Sequence, residues 1–218
     1  WSSDVCSSDL LGCDVPRSFA VAQGAAPRNR GLHYPLFVKP ANADGSDFIT
    51  QASVVHSERA LARHVKSLRA RGAGPLLCEE YTEGSDLFVA LLGNKPQVLW
   101  PMEFVARRHG RGEPKFSSQR VKHDVKYQRR WKLGYRKARL PAALMAHINA
   151  VSAKIFHALK LRDYARLDFR LTPDGRVVFI EANANPDLAR DGLGSHGCFV
   201  GVAYADVMRR IVKAALGR

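Results

Sequence analysis

The sequence predicts an α+β protein, in which antiparallel strands are combined with a few long helices. The strongest observation is a β-hairpin at 164–186, where two alternating runs of polar and apolar residues flank a Thr-Pro-Asp-Gly turn. Apolar segments of strand length lie at 34–40, 75–81, 87–93 and 97–105. Apolar residues recur at helical spacing after Ser57, after Pro141 and over 202–216. This mixture of strands and helices is typical of the α+β class.

Length and composition agree with a globular protein. The chain has 218 residues, 46% of them apolar and 25% charged, enough for one large domain or two small ones. Its four cysteines are far apart and form no Cys-x-x-Cys pair, so neither a zinc site nor a disulfide framework is indicated. No apolar run approaches the roughly 20 residues of a membrane span, and no signal peptide is visible. We therefore expect a cytoplasmic protein without a membrane segment.

The net charge of +14 arises largely from one basic segment, residues 107–139, which has 13 Lys and Arg against two acids. Such a segment can bind nucleic acid, attract an acidic substrate and nucleotide, or simply be solvated. Four aromatic residues interleave with its cations: Phe116, Tyr127, Trp131 and Tyr135. Because aromatic rings among cations suit stacking on single-stranded RNA, nucleic-acid binding is the chief rival hypothesis.

The register of the predicted hairpin decides which side chains meet. A loop of two or four residues would pair Arg166 with Glu181 and place Asp168 diagonal to Glu181. One face would then carry Arg166, Asp168, Glu181 and Asn183. The other face would carry Leu167, Phe169, Val178 and Ile180. A three-residue loop would mix carboxylates with apolar side chains on the buried face, and we favour the even loop because burying unpaired charge is costly.

The polar face of this hairpin has the chemistry of a magnesium site. Two carboxylates and an amide oxygen are hard ligands, and Mg²⁺ usually completes its shell with phosphate oxygens and water. The adjacent Arg166 is a permanently charged fork suited to phosphate or to a developing oxyanion. The alternative is a solvated face with cross-strand ion pairs. Four such groups opposite an apolar face favour the metal site.

These residues resemble a known family. The pattern Arg166-x-Asp168, followed by Glu181-x-Asn183-x-Asn185-Pro186, is similar to the metal-binding hairpin of ATP-grasp ligases, in the D-alanine:D-alanine ligase-like branch. The resemblance implies an ATP-grasp fold with ATP between two sheets, a small lid at 11–80 and a larger core at 81–218. Family members carry a substrate-binding domain before the lid. Residues 1–10 repeat Ser-Ser-Asp and look foreign to the rest of the chain.

The resemblance also implies residues for the phosphates and the metal. Lys39, at the end of its strand, would contact the α and β phosphates, with Gly45 and Ser46 in the loop over the γ phosphate. Lys122 would reach the γ phosphate, and Arg166 would stabilise the transferred phosphoryl group and the oxyanion. The implied metal ligands are Asp168, Glu181 and Asn183.

A second group of residues is implied for the nucleoside. Backbone groups of Glu80 and Thr82 would read the edge of adenine, while Glu79 and Ile180 line its pocket. Asp86 would accept the ribose hydroxyls, at a position where the family usually has Glu.

The implied reaction is ATP-dependent ligation of a carboxylate to an amine through an acyl phosphate. The implied cofactors are ATP and Mg²⁺, with Mn²⁺ as an alternative ion. Both substrates would be small molecules, acidic or zwitterionic, which the basic segment would attract. Two other hypotheses remain open from the sequence: a basic nucleic-acid-binding module and a noncatalytic ATP-binding domain.

Overall fold

Two antiparallel sheets organise the protein, for which the computed structural model describes residues 11–43, 45–188, 199 and 201–217. The expectation for residues 1–10 lies outside this range. The smaller sheet contains β1 (Ser18–Val21), β2 (Leu36–Pro40), β3 (Val54–Val55) and β4 (Leu76–Glu80). Its strands lie in the order β1-β4-β2-β3.

The larger sheet has six strands and contains the predicted hairpin. They are β5 (Ser85–Leu92), β6 (Gln97–Val98), β7 (Met102–Ala106), β8 (Leu133–Lys137), β9 (Tyr164–Leu171) and β10 (Val177–Asn183). The order is β10-β9-β5-β7-β8, and the short β6 pairs with β5.

Helices cover the sheets, and the predicted α+β class is confirmed. They are α1 (Glu58–Ala70), α2 (Gln119–His123), α3 (Val125–Trp131), α4 (Ala142–Ala158) and α5 (Tyr204–Leu216), besides a 3-10 turn at Gln51–Ser53. The hydroxyl of Ser57 caps α1 by accepting a hydrogen bond from the Ala60 N–H. Within the described part of the chain, no helix is both long enough and apolar enough to cross a membrane.

Strand β5 is buried on both faces and joins two cores of the larger sheet. Its residues Leu87, Val89 and Leu91 pack with Ile148, Val151 and Ile155 of α4. The alternate residues Phe88, Ala90 and Leu92 pack with side chains of α2, α3 and α5. A separate core lies between the smaller sheet and α1. Since side chains alternate along a strand, a continuous apolar run is what a strand between two layers requires.

The hairpin differs from the predicted register in two ways. The loop has three residues, not two or four: Gly175 N–H donates to the carbonyl of Thr172 at 2.9 Å, and Gly175 takes a φ of +85°. This turn with a left-handed glycine is the usual three-residue hairpin. Leu171 therefore pairs with Val177, and Phe169 pairs with Phe179.

A β-bulge at Ile180 then shifts the register by one more residue. Glu181 lies directly opposite Asp168, and Asn183 lies opposite Arg166, so the predicted Arg166–Glu181 pairing is wrong. The shared polar face of these four residues is nevertheless confirmed. The predicted apolar face is partly wrong, because Val178 pairs with Arg170 and Ile180 is the bulged residue. Phe179 takes their place against Phe169, with ring centroids 5.6 Å apart.

Candidate functional site

A cleft of about 710 Å³, including its open mouth, lies between the two sheets. Its walls include nine of the residues predicted for the site: Ser46, Glu79, Glu80, Thr82, Asp86, Lys122, Asp168, Ile180 and Glu181. Lys39, Arg166 and Asn183 reach the same region through bonds to wall residues. Gly45 lies in the turn beside Ser46 and does not line the cleft.

The floor of one end, which we call the metal end, is formed by β9 and β10. Arg166 holds Asp168 with two bonds, Nε to Oδ1 at 2.6 Å and a terminal nitrogen to Oδ2 at 2.8 Å. The guanidinium also lies 5.2 Å from the ring centroid of Phe88. Glu181 faces Asp168 across the ladder, and the Asn183 amide donates to the Glu181 carboxylate at 3.5 Å.

Charges at the metal end perturb one another. Burial and, to a lesser extent, Glu181 raise the pKa of Asp168, while Arg166 and Lys122 oppose the shift, and the net result is a pKa of about 7. Burial acts to lower the pKa of Lys39, but Glu79, Glu181 and Asp168 outweigh it, and the pKa is raised. Lys39 Nζ lies 2.9 Å from a Glu79 oxygen. The carboxylates of Glu79, Asp168 and Glu181 therefore lie close together at this end, and a bound cation would reduce the repulsion between them.

The residues at the metal end fit a Mg²⁺ ion. Asp168 and Glu181 supply carboxylate oxygens on one face, and the amide oxygen of Asn183 is a third potential ligand. Across the described ranges, no three His, Cys, Asp or Glu side chains form a cage that could hold a metal. A site with two carboxylates and an amide suits Mg²⁺, which retains water and phosphate ligands.

The opposite end, which we call the hinge end, is bounded by the hinge segment, residues 80–86, between β4 and β5. Three aromatic side chains line this end, and we call them the aromatic wall. The Phe116 ring packs edge-on against Phe37, with ring centroids 5.2 Å apart, and its centroid lies 6.5 Å from that of Tyr81. Glu80 turns its side chain out of the cleft, where Oε1 accepts from the His33 N–H at 2.8 Å. The backbone N–H of Glu80 donates to the carbonyl of Arg17 at 2.9 Å, and the adenine contact of this residue stays a prediction.

Asp86, which is predicted to accept the ribose hydroxyls, is bonded within the protein. Its Oδ1 accepts from Arg170 at 2.6 Å, and its Oδ2 accepts from the Ser117 N–H at 2.6 Å. The carbonyl of Thr82, predicted to read adenine, accepts from Arg170 Nε at 3.1 Å. Both groups are therefore already bonded within the protein.

Sequence reasoning missed several wall residues. Arg170 follows Arg166 and Asp168 at two-residue spacing, so strand alternation could have placed it on the polar face. Phe37 precedes Lys39 by the same spacing on β2. Ser117 carried no such signal, because its backbone enters the site from an irregular stretch of the basic segment.

The aromatic residues of the basic segment are packed inside the protein. Phe116, Tyr127 and Trp131 are buried, and the half-buried ring of Tyr135 lies 5.5 Å from Phe88. Base stacking requires an exposed ring face. The packing therefore removes the basis of the RNA-stacking hypothesis, and Phe116 lines the cleft instead.

Two sheets with carboxylates, an amide and lysines converging on the cleft between them define an ATP-grasp protein. The chain belongs to the family described as the D-ala D-ala ligase C-terminus, whose family model matches residues 21–213. The predicted family and fold are confirmed.

Known relatives extend beyond the matched region. The chain is 28% identical over 205 residues to the uncharacterized protein y4sG of Sinorhizobium fredii, covering 91% of this chain and 57% of the relative. It is 27% identical over 187 residues to a D-alanine–D-alanine ligase of Desulfotalea psychrophila, covering 85% and 55%. The structure of Bacillus anthracis D-alanine–D-alanine ligase complexed with ATP superposes with a TM-score of 0.70 at 19% identity, covering 96% and 63%. The chain spans less than two thirds of each of these proteins.

Proposed function

We propose that the cleft binds Mg-ATP and that the chain is the nucleotide-binding part of an ATP-dependent ligase. The ligase would join a carboxylate to an amine through an acyl phosphate. One observation carries the proposal: the bulged hairpin sets Asp168 opposite Glu181 on the cleft floor, near Lys39 and Lys122. In this proposal residues 11–80 act as the lid and residues 81–218 as the core.

The protein's part in such a reaction is positioning and charge neutralisation. Lys39 and Lys122 place two cations beside the carboxylate pair, where they would bind phosphate oxygens. Arg166, fixed in position by its two bonds to Asp168, would place its positive charge beside the transferred phosphoryl group. Mg²⁺ on Asp168 and Glu181 would supply further charge neutralisation on the phosphates. The aromatic wall of the hinge end would exclude water from the nucleoside.

Amino acids are the first substrates to screen for the whole protein. The Desulfotalea and Bacillus relatives are named D-alanine–D-alanine ligases, and a zwitterionic amino acid offers both a carboxylate and an amine. The basic segment, with 13 Lys and Arg, would raise the local concentration of carboxylates.

The test is thermal unfolding with excess ADP, with and without Mg²⁺, on wild type and Glu181→Ala. A ligand at about 100 times its dissociation constant adds roughly 2.7 kcal/mol, which is a shift of several degrees. We expect this shift in the wild type only with Mg²⁺. We expect Glu181→Ala to lose the Mg²⁺-dependent part, because it removes one carboxylate of the metal end.

The matched control is Glu113→Ala, which removes a partly exposed acid that is paired with His109 outside the cleft. Its Mg²⁺-dependent shift should equal that of the wild type. A folded wild type with no ADP shift, or a Glu181→Ala variant with an unchanged one, would contradict the proposal.

A further inference from the structure

Arg170 is a buried cation at the hinge end that the proposed chemistry does not use. It lies on β9 two residues after Asp168, on the same face of the strand, and pairs with Asp86 of β5. Its side chain is 6% exposed and lines the cleft. A buried guanidinium must be bonded within the protein, and its partners indicate its role.

The guanidinium of Arg170 joins three separate parts of the chain. Nε donates to the carbonyl of Thr82 at 3.1 Å, and one terminal nitrogen donates to Asp86 at 2.6 Å and to the carbonyl of Lys115 at 3.3 Å. The other terminal nitrogen donates to the hydroxyl of Tyr81 at 3.4 Å. This single side chain therefore connects β9 to both the hinge segment and the basic segment.

The network continues to Ser46, in the loop between β2 and β3 of the smaller sheet. Asp86 accepts from the Ser117 N–H at 2.6 Å, and the carbonyl of Ser117 accepts from the hydroxyl of Ser46 at 3.1 Å. Ser117 is adjacent to Phe116, which forms the aromatic wall. Arg170 thus fixes the carboxylate of Asp86 directly, and it fixes the position of the wall through Asp86 and Lys115.

We infer that Arg170 is a positioning residue for the nucleoside part of the nucleotide. It holds Asp86, the Thr82 carbonyl and the aromatic wall in one arrangement, while Asp168 and Glu181 act on the phosphates through the metal. This inference rests on the proposed function. Only a planar fork with several N–H groups makes these bonds together, so lysine cannot replace Arg170.

Two ligands separate this role from general support of the fold. Mg-ADP contains the nucleoside, whereas Mg-tripolyphosphate contains phosphates alone. Titration calorimetry on Arg170→Lys should show Mg-ADP binding weakened about tenfold, the equivalent of roughly one hydrogen bond. Mg-tripolyphosphate binding should stay within about twofold of the wild type, because its determinants are at the metal end.

A second variant avoids leaving one buried charge without its partner, which would destabilise the fold. Asp86→Leu with Arg170→Met removes both charges together, which buried ion pairs usually tolerate. It should show the same selective loss of Mg-ADP. The matched control is Arg136→Lys, because Arg136 is an exposed arginine that contacts Glu103 at 2.7 Å on the same sheet. This control should bind both ligands as the wild type does.

Each other outcome is decisive. Folded Arg170 variants that bind Mg-ADP as tightly as the wild type would overturn the inference, and so would equal weakening of both ligands. A wild type that binds Mg-ADP but not Mg-tripolyphosphate would overturn the division of the cleft into two subsites. A wild type that does not bind Mg-ADP would overturn the proposed function, and this inference with it.

Discussion

The two ends of the cleft each contain a buried arginine–aspartate pair on β9, but the pairs are constructed differently. Arg166 and Asp168 lie two residues apart on one strand, and Asp168 faces a second carboxylate, Glu181. Arg170 instead crosses to Asp86 on β5, where a backbone N–H completes the bonding of that carboxylate. The first pair lies beside a second carboxylate, whereas the second pair is balanced by itself.

This difference separates an ion-dependent site from a preformed one. At the metal end burial raises the pKa of Asp168, and the carboxylates of Glu79, Glu181 and Asp168 raise the pKa of Lys39. At the hinge end Asp86 is already held by Arg170 and Ser117 without any ligand. We therefore expect substitutions at the metal end to change metal dependence, and substitutions at the hinge end to change nucleoside recognition.

The largest expected effect comes from breaking the pair at the metal end. Asp168→Ala leaves the buried guanidinium of Arg166 without its two bonds. Removing one partner of a buried ion pair costs about 3–5 kcal/mol. Urea unfolding at pH 8, above the pKa of Asp168, should show this loss.

The control for that experiment is Asp174→Ala, which removes an exposed ion pair with Arg176 at the tip of the same hairpin. It should leave the unfolding midpoint almost unchanged. An Asp168→Ala variant as stable as this control would mean that Arg166 is solvated, and that the metal end is no more buried than the hairpin tip.

A slightly smaller effect is expected from the hinge end. Gly84 has a φ of +141°, and a Cβ there would lie 2.1 Å from the carbonyl oxygen of Leu171. Gly84→Ala should cost about 2–4 kcal/mol in urea unfolding, from the overlap and the backbone strain together. Because Leu171 is the residue after Arg170, the shift of β9 should also weaken Mg-ADP more than Mg-tripolyphosphate.

Gly74→Ala is the matched control, since no atom lies within 4 Å of a Cβ at that position. It should leave both ligand affinities unchanged. If Gly84→Ala weakened Mg-ADP and Mg-tripolyphosphate equally, the two ends of the cleft would not be independent, and the contrast between an ion-dependent end and a preformed end would fail.

The metal end could be predicted from sequence because strand alternation carries most of its information. Asp168, Glu181 and Asn183 were placed on one face correctly, although the register was wrong. The Thr-Pro-Asp-Gly turn itself favours a three-residue loop. Combined with the requirement that the carboxylates share a face, that loop implies a bulge between Phe179 and Glu181, which simple alternation does not include.

The hinge end could be predicted only in part. Alternation places Arg170 beside Asp168, but its partners come from elsewhere in the chain, including Lys115, 55 residues away. Such tertiary bonds leave no local periodicity. The same limit explains Phe116, which the charge pattern suggested for RNA and which the fold buries beside Phe37.

The smallest expected effect concerns two buried thiols, one in the core of each sheet. The Cys13 sulfur lies 3.8 Å from the carbonyl of Val177 on β10, in a core of the larger sheet, and Cys78 lies on β4 of the smaller sheet, next to Glu79. Burial raises the pKa of Cys13 to about 11 and that of Cys78 to about 12. A raised thiol pKa means less thiolate at pH 8, roughly one in a thousand for Cys13 and fewer for Cys78.

Iodoacetamide at pH 8 should therefore alkylate neither thiol in the folded protein except through opening of the surrounding core. The measurement uses a Cys6→Ser, Cys198→Ser background, in which mass spectrometry assigns the two remaining thiols. Mg-ADP should slow both reactions, because a nucleotide spanning the cleft contacts both sheets, and fully unfolded protein in urea gives the reference rate. If Mg-ADP protected Cys13 but not Cys78, the nucleotide would be held by the larger sheet alone, and the smaller sheet would have no part in binding.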